Sequence, residues 1–272
     1  MIVPTSDSIG PSCASFHGTA GSIRAREFGY RPSVSTSDLT THSTTGGSAT
    51  RLGFWTAILT VVVVAVFAVV GIATPARSGP FCANACVAYP YVDVAQFIPG
   101  DYLWLLPGIL LAPTFVVLMA CIHAYAAEPK KLYSRIGLSF AVIYAVVILV
   151  DYFLQLTVVV PSLQAGETEG LSLFTQYDPH GLFIALESLG YTMLTIALLF
   201  AAPVFAGGRV ERAIRGLFVL SFVLAVAAFV GLAVLGHDLV AFEVTVLMIN
   251  WSVLIASGAL LGVVFRRAGQ SG

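Results

Sequence analysis

The sequence predicts an all-α fold: a polytopic membrane helical bundle of six transmembrane helices, preceded by a disordered N-terminal tail. Hydrophobic residues make up 58% of the 272 residues and charged residues only 10%, against about 45–50% and about 25% in ordinary globular domains. The mean hydropathy is +0.92. The apolar residues also form six separate stretches, each long enough to cross a bilayer core of about 30 Å as a helix. A water-soluble globule is excluded, because so few charged side chains cannot cover so much apolar surface.

The first fifty residues differ from the rest of the chain. Eighteen of them are Ser or Thr, with Gly and Pro scattered between. No apolar periodicity runs long enough for a helix or a strand, and such a segment cannot bury enough surface to offset its chain entropy. We therefore expect a disordered cytoplasmic tail over 1–50 and a six-helix transmembrane domain over 51–267.

The predicted spans end at residues that stop or start helices. Pro75 follows the first span and Pro161 follows the third, and Pro is disfavoured inside a helix. Asp178 and Pro179 precede the fourth span, where Asp can cap the helix and Pro can occupy its first position. The six predicted spans are 52–74, 102–126, 136–160, 182–205, 217–235 and 241–265.

The distribution of Lys and Arg predicts an orientation. Twelve of the thirteen lie before span 1, between spans 2 and 3, between spans 4 and 5, or after span 6, and only Arg77 lies on the opposite side. Cytoplasmic loops carry such an excess of basic residues. We therefore expect a multi-pass protein of the plasma membrane with both termini in the cytoplasm. The opposite loops are acidic, with Asp93, Asp101, Glu167, Glu169, Asp178 and Asp238.

Four strings between about Pro99 and Phe205 resemble an uncharacterised family of bacterial and archaeal multi-pass membrane proteins. They read PGDYLWLLPG, DYFLQLTVVVPSL, GETEGL and QYDPHGLFIALESLGY. The resemblance covers spans 2 to 4 and the loops between them. It implies an integral membrane location and carries no assigned activity.

Cys82 and Cys86 lie together in the loop that follows span 1. Disulfides are permitted outside the cytoplasm, so we expect one between them. Their C-x3-C spacing differs from the C-x-x-C spacing of redox-active pairs, and no His lies nearby for a metal. The sequence predicts neither a metal site nor a cofactor.

Two carboxyl groups lie inside predicted spans. Asp151 is nine residues from Val160, which places it about 14 Å deep in a helix that rises about 1.5 Å per residue. Glu187 is five residues past Leu182, or roughly 8 Å deep. A charge at such depth costs at least about 2.5–3.5 kcal/mol. No predicted span contains Lys or Arg, so protonation, a His or a bound cation must balance these groups.

Further polar residues follow at helical spacing on spans 3, 4 and 6. Residues seven or eleven positions apart lie on one helix face. We therefore expect these three faces to converge on one outward-open polar cavity with His180 and His237 at its rim. The alternative is that the same residues hydrogen-bond neighbouring helices as packing contacts only. The candidate residues are Tyr144, Asp151, Gln155, His180, Glu187, Tyr191, His237 and Asn250, and Glu243 shares the Asn250 face.

Gly258 and Gly262 form a G-x-x-x-G motif in span 6. Such a motif lets two helices approach closely. The second helix belongs either to the same bundle or to a second copy of the chain, which would make a homo-oligomer.

Three functions are compatible with these features. The favoured one is a small transporter or permease-like protein with an outward-facing acidic pocket for a proton or a small cationic solute. The second is a membrane sensor or structural partner protein in which the polar residues only pack. The third is a membrane enzyme that uses His180, His237 and the carboxyl groups. The chain has no H-E-x-x-H, P-loop, G-x-S-x-G or C-x-x-C-H motif.

The expected surroundings follow from the same composition. The lipid bilayer is the main partner that the apolar spans predict. A net charge of −1 and a pI near 6.5 give no electrostatic reason to expect nucleic acid.

Single cysteines that replace Glu167 and Arg212, in a chain without Cys13 and Cys121, test the orientation. We expect a membrane-impermeant thiol reagent to label the two positions from opposite sides of the membrane. The fourth span separates them, and basic and acidic loops alternate along the chain. Labelling of both positions from the same side would contradict the predicted topology.

Overall fold

The structure is a computed structural model that describes residues 36–236 and 238–270, with side chains described from residue 47 onward except at 235. Its described part is all-helical. Six of its helical segments are long and apolar enough to cross a membrane. The helices are α1 (Thr36–Ala73), α2 (Leu105–Tyr125), α3 (Lys131–Leu154), α4 (Val160–Ala165), α5 (Leu182–Ala201), α6 (Arg209–Leu235) and α7 (Leu239–Gln270).

The predicted fold class is confirmed, and the helices appear in the predicted order. The first helix begins earlier than expected, at Thr36. Residues 36–50, which the sequence predicts to be unstructured, therefore belong to α1. Extending an existing helix costs far less than starting one, and no Pro lies between Thr36 and the end of α1. The rest of the predicted tail, 1–35, lies outside the described residues.

Pro161 does not end the third span, contrary to the sequence prediction. The chain passes from α3 through a π-helical turn at Gln155–Val159 into α4, which contains Pro161. A π turn shifts the backbone hydrogen-bond register, and Pro161 sits in the first turn of α4, where its missing N–H costs least. The segment ends instead at Gly166, whose φ of 75° provides a left-handed helix cap.

Asp178 and Pro179 do not begin the fourth span either. The fifth helix begins at Leu182 with Gly181 as its N-cap residue. Asp178 caps the turn before the helix, where its Oδ1 accepts a hydrogen bond of 3.0 Å from the His180 backbone N–H. The prediction that Asp178 caps the fourth span is therefore wrong, because its carboxylate bonds a turn that ends before the helix.

The six long segments form a closed ring. Around it, each of α1, α2, α3, α5, α6 and α7 packs against the next, and α7 returns to α1. The fifth helix also contacts α7 across the ring. The polar faces of α3, α5 and α7 therefore share one interior.

The bundle has two chemically different ends. At the basic end, Tyr125 packs against Phe205 and Phe265, which joins the end of α2 to the connection before α6 and to the end of α7. At the disulfide end, Gly79 lies against Pro179 and Val240. The alternation of the helices places nine Lys and Arg residues at the basic end: Arg51, Lys130, Lys131, Arg135, Arg209, Arg212, Arg215, Arg266 and Arg267.

The G-x-x-x-G motif packs within the chain. A Cβ atom at Gly258 would lie 2.7 Å from Val61 Cγ2, and one at Gly262 would lie 3.4 Å from Ile58 Cδ1. The first helix therefore already covers this face of α7. A homo-oligomer through Gly258 and Gly262, which the sequence allows, would have to use the face of α7 that α1 covers.

Gly258→Leu will destabilise the bundle, because the new side chain overlaps α1. We expect a loss of about 1–3 kcal/mol, the range for overpacked interiors, seen as a lower melting temperature in detergent. Gly216→Leu is the matched control, since nothing lies within 4 Å of a Cβ atom at Gly216. Equal melting temperatures for the two variants would show that α1 does not pack closely on Gly258.

Candidate functional site

Two carboxyl groups face each other inside the ring. Glu187 on α5 and Glu243 on α7 are 1% and 7% exposed and lie close enough for their charges to interact. The hydroxyl of Tyr152 on α3 donates a hydrogen bond to Glu187 Oε1. Three helices therefore meet at this carboxyl pair.

A third carboxyl group lies near this pair. Asp151 is 2% exposed, lies near enough to both glutamates to interact with their charge, and leaves its Oδ2 without a hydrogen-bond partner. Buried carboxyl groups this close repel strongly when both are ionised. A shared proton or a bound cation removes the repulsion.

A cavity of about 320 Å³ adjoins the carboxyl pair at the disulfide end. It lies between the end of α1 and the beginning of α7, and Glu187 and Glu243 border it. Trp104 and Trp251 line it as well. The cavity therefore combines acidic side chains with aromatic ones.

Arg77, which also borders the cavity, is held by Asp101. Its Nε donates a 2.9 Å hydrogen bond to Asp101 Oδ2, which raises the pKa of the guanidinium, and its Cζ lies 3.9 Å from the centre of the Phe97 ring. Tyr177 donates a hydrogen bond of 3.2 Å to the same carboxylate oxygen, and burial raises the pKa of Tyr177. Arg77 thus neutralises Asp101 at the rim. Glu187 and Glu243 have no such basic partner among the described residues that line the cavity.

Neighbouring side chains hold Trp104 and Trp251 in place. Phe67 of α1 stands between the two indoles, with its ring centre 5.9 Å from that of Trp104 and 4.8 Å from that of Trp251. The indole N–H of Trp104 donates to Gln176 Oε1 at 3.2 Å. The indole N–H of Trp251 has no hydrogen-bond partner among the described residues.

Two predicted site residues serve packing instead of the cavity. Gln155 donates to the Phe174 carbonyl and accepts a 3.3 Å hydrogen bond from the Gln176 backbone N–H. It therefore connects the 171–178 loop to the π turn that follows α3. Asn250 accepts a 3.1 Å hydrogen bond from Thr195 Oγ1 and thereby joins α7 to α5. Both side chains use their polar groups within the bundle.

Tyr144 and Tyr191 lie deeper in the same interior and do not border the cavity. Their ring centres are 5.8 Å apart, and neither hydroxyl has a well-aligned hydrogen bond among the described residues. Asp151 likewise lies behind the cavity wall. Of the seven candidate residues that the structure describes, Glu187 alone borders the cavity.

The remaining predicted residues lie at the disulfide end. His180 is exposed on the segment before α5 and does not border the cavity. His237 lies outside the described residues, so its place at the rim stays a prediction. Cys82 and Cys86 form a disulfide.

Several residues that build the site are not among the candidates predicted from the sequence. Glu243 has a signal, its seven-residue spacing from Asn250, but it lies near a predicted span end, where a charge is inexpensive. Tyr152 directly follows Asp151, so helical periodicity assigns it to another face. The Arg77–Asp101 pair joins residues 24 positions apart, and no local pattern reveals it.

Comparison of the chain with protein-family models, with curated proteins and with solved structures finds no match. The resemblance to a multi-pass membrane family therefore stays a prediction. The site has to be interpreted from its own geometry.

Arg77→Met tests the ion pair at the rim. We expect it to destabilise the protein by about 1–3 kcal/mol, because the substitution leaves the buried Asp101 carboxylate without its cation. Adding Asp101→Asn should restore most of the lost melting temperature, since the unpaired charge is then gone. Arg215→Met, at an exposed position, serves as the control. A missing rescue in the double variant would count against the pair.

Proposed function

We propose that the chain is a small transporter or permease-like protein that takes a proton or a small cationic solute through the cavity at the disulfide end. The observation that carries the proposal is that Glu187 and Glu243 both border the cavity. Intramembrane carboxyl groups are costly and usually mark ion or proton pathways. A pair that borders an open cavity can exchange its counter-charge with solvent.

The proposed mechanism is an exchange of proton for cation at one pair of oxygens. Without a cation, a proton held between Glu187 and Glu243 removes their repulsion. A cation that enters the cavity replaces the proton, since both neutralise the same charge. Such competition couples the movement of one to the movement of the other.

We also propose the plasma membrane as the location, with both termini in the cytoplasm. The uneven distribution of Lys and Arg between the two ends of the bundle supports this orientation. The cavity then faces outward. The Cys82–Cys86 disulfide agrees with this side, because disulfides persist outside the cytoplasm.

The alternatives receive less support from the geometry. The membrane enzyme of the sequence analysis uses His180 as an acid or base, but His180 lies exposed and does not border the cavity. A purely structural role accounts for Gln155 and Asn250, whose polar groups are bonded within the bundle. It does not account for two carboxyl groups beside an open cavity.

Charge movement in proteoliposomes tests the proposal. The full chain is adsorbed on a solid-supported membrane, and current is recorded after a jump in proton, sodium, potassium or tetramethylammonium concentration. Because the exchange of one proton for one monovalent cation moves no net charge, the lumenal pH is followed in parallel with an entrapped pH-sensitive dye. We expect at least one jump to give a current or a change in lumenal pH that Glu187→Gln/Glu243→Gln abolishes, because the neutral amides cannot exchange a proton.

Glu167→Gln, an exposed loop substitution, is the matched control and should keep the wild-type current. Retention of the current in the double variant would overturn the proposal. A wild-type protein that gives neither a current nor a change in lumenal pH with any of the four ions would overturn it as well.

A further inference from the structure

We propose that the cavity binds a small organic ammonium ion, with the nitrogen at Glu187 and Glu243 and the apolar body against Trp251 and Trp104. The inference rests on the proposed function, since it names the class of cationic solute. It combines the two carboxyl groups that border the cavity with the two Trp side chains that line it.

The walls suit an organic cation. Ammonium groups are attracted to the faces of aromatic rings, and most strongly to Trp, when they lie within about 6 Å of the ring centre. Trp251 is 4% exposed and is held in place by Phe67 and by Gly71, where a Cβ atom would lie 3.0 Å from Trp251 Cη2. The sequence therefore leaves space on α1 for this indole.

The same walls suit an inorganic cation poorly. Hard cations are held by several oxygen ligands, and the described residues contain no group of three acidic, His or Cys side chains placed to hold a metal. Around the carboxyl pair the cavity is lined by Ile184, Val244 and Leu247. These apolar side chains cannot replace the water that a small inorganic ion would lose, whereas they can contact alkyl groups.

The size of the cavity narrows the class. Ligand cavities usually measure about 300–1,000 Å³, so the cavity of about 320 Å³ fits a small molecule. A small alkylammonium ion meets the requirements of size, positive charge and apolar contact together.

Isothermal titration of the purified full chain in detergent tests the inference. The probes are choline and tetramethylammonium, with sodium, potassium and the neutral choline analogue 3,3-dimethylbutan-1-ol at equal ionic strength. We expect the two ammonium ions to bind. The neutral analogue, which has the same shape without the charge, should not bind.

Substitutions assign the binding to this cavity. Trp251→Leu should weaken choline binding roughly 2- to 30-fold, the range for one cation–π contact, and Trp251→Phe should restore part of it. Glu187→Gln/Glu243→Gln should abolish it. Trp55→Leu, at a position 61% exposed near the basic end, is the matched control and should bind like the wild type. Trp251→Phe keeps the test open if Trp251→Leu does not fold.

The outcomes separate this inference from the proposed function. Sodium or potassium binding that depends on the carboxyl pair, without ammonium binding, overturns the inference and leaves the cation pocket standing. Ammonium binding unchanged by both Trp251 substitutions also overturns it. Absence of binding by every cation, together with absence of current, overturns both.

Discussion

The repulsion between two buried carboxyl groups governs the interior of this bundle. Glu187 and Glu243 face each other in a protein whose predicted spans hold no Lys or Arg. Among the described residues that line the cavity, the basic side chain is Arg77, and it is bound to Asp101. A proton or a ligand therefore has to supply the missing positive charge, and the cavity beside the pair gives both of them access.

The other buried polar residues divide into two groups with different consequences. Gln155 and Asn250 are bonded to backbone or side chains of neighbouring segments, so they add rigidity and direction to the helix contacts. Asp151 and Trp251 each leave a polar atom without a partner. Atoms of this second kind are expensive in a fold that serves stability alone.

Composition and span length were sufficient to predict the six-helix class, because the bilayer sets helix length and excludes charge. Helix ends were harder, since Pro161 depends on a π turn and Asp178 caps a turn outside its helix. Helical spacing identified Glu187, but it could not tell which of Asp151 and Tyr152 contacts α5. That choice, like the meeting of Arg77 with Asp101, depends on how separate segments pack.

The central claim is that Glu187 and Glu243 hold a proton between them until a cation replaces it. Infrared difference spectroscopy of the protein at neutral pH tests this most directly, because protonated carboxyl groups have a carbonyl band of their own. The account predicts a protonated-carboxyl band in the wild type that is absent from Glu187→Gln/Glu243→Gln and that decreases when choline is added. Identical wild-type and double-variant spectra in this region would contradict it.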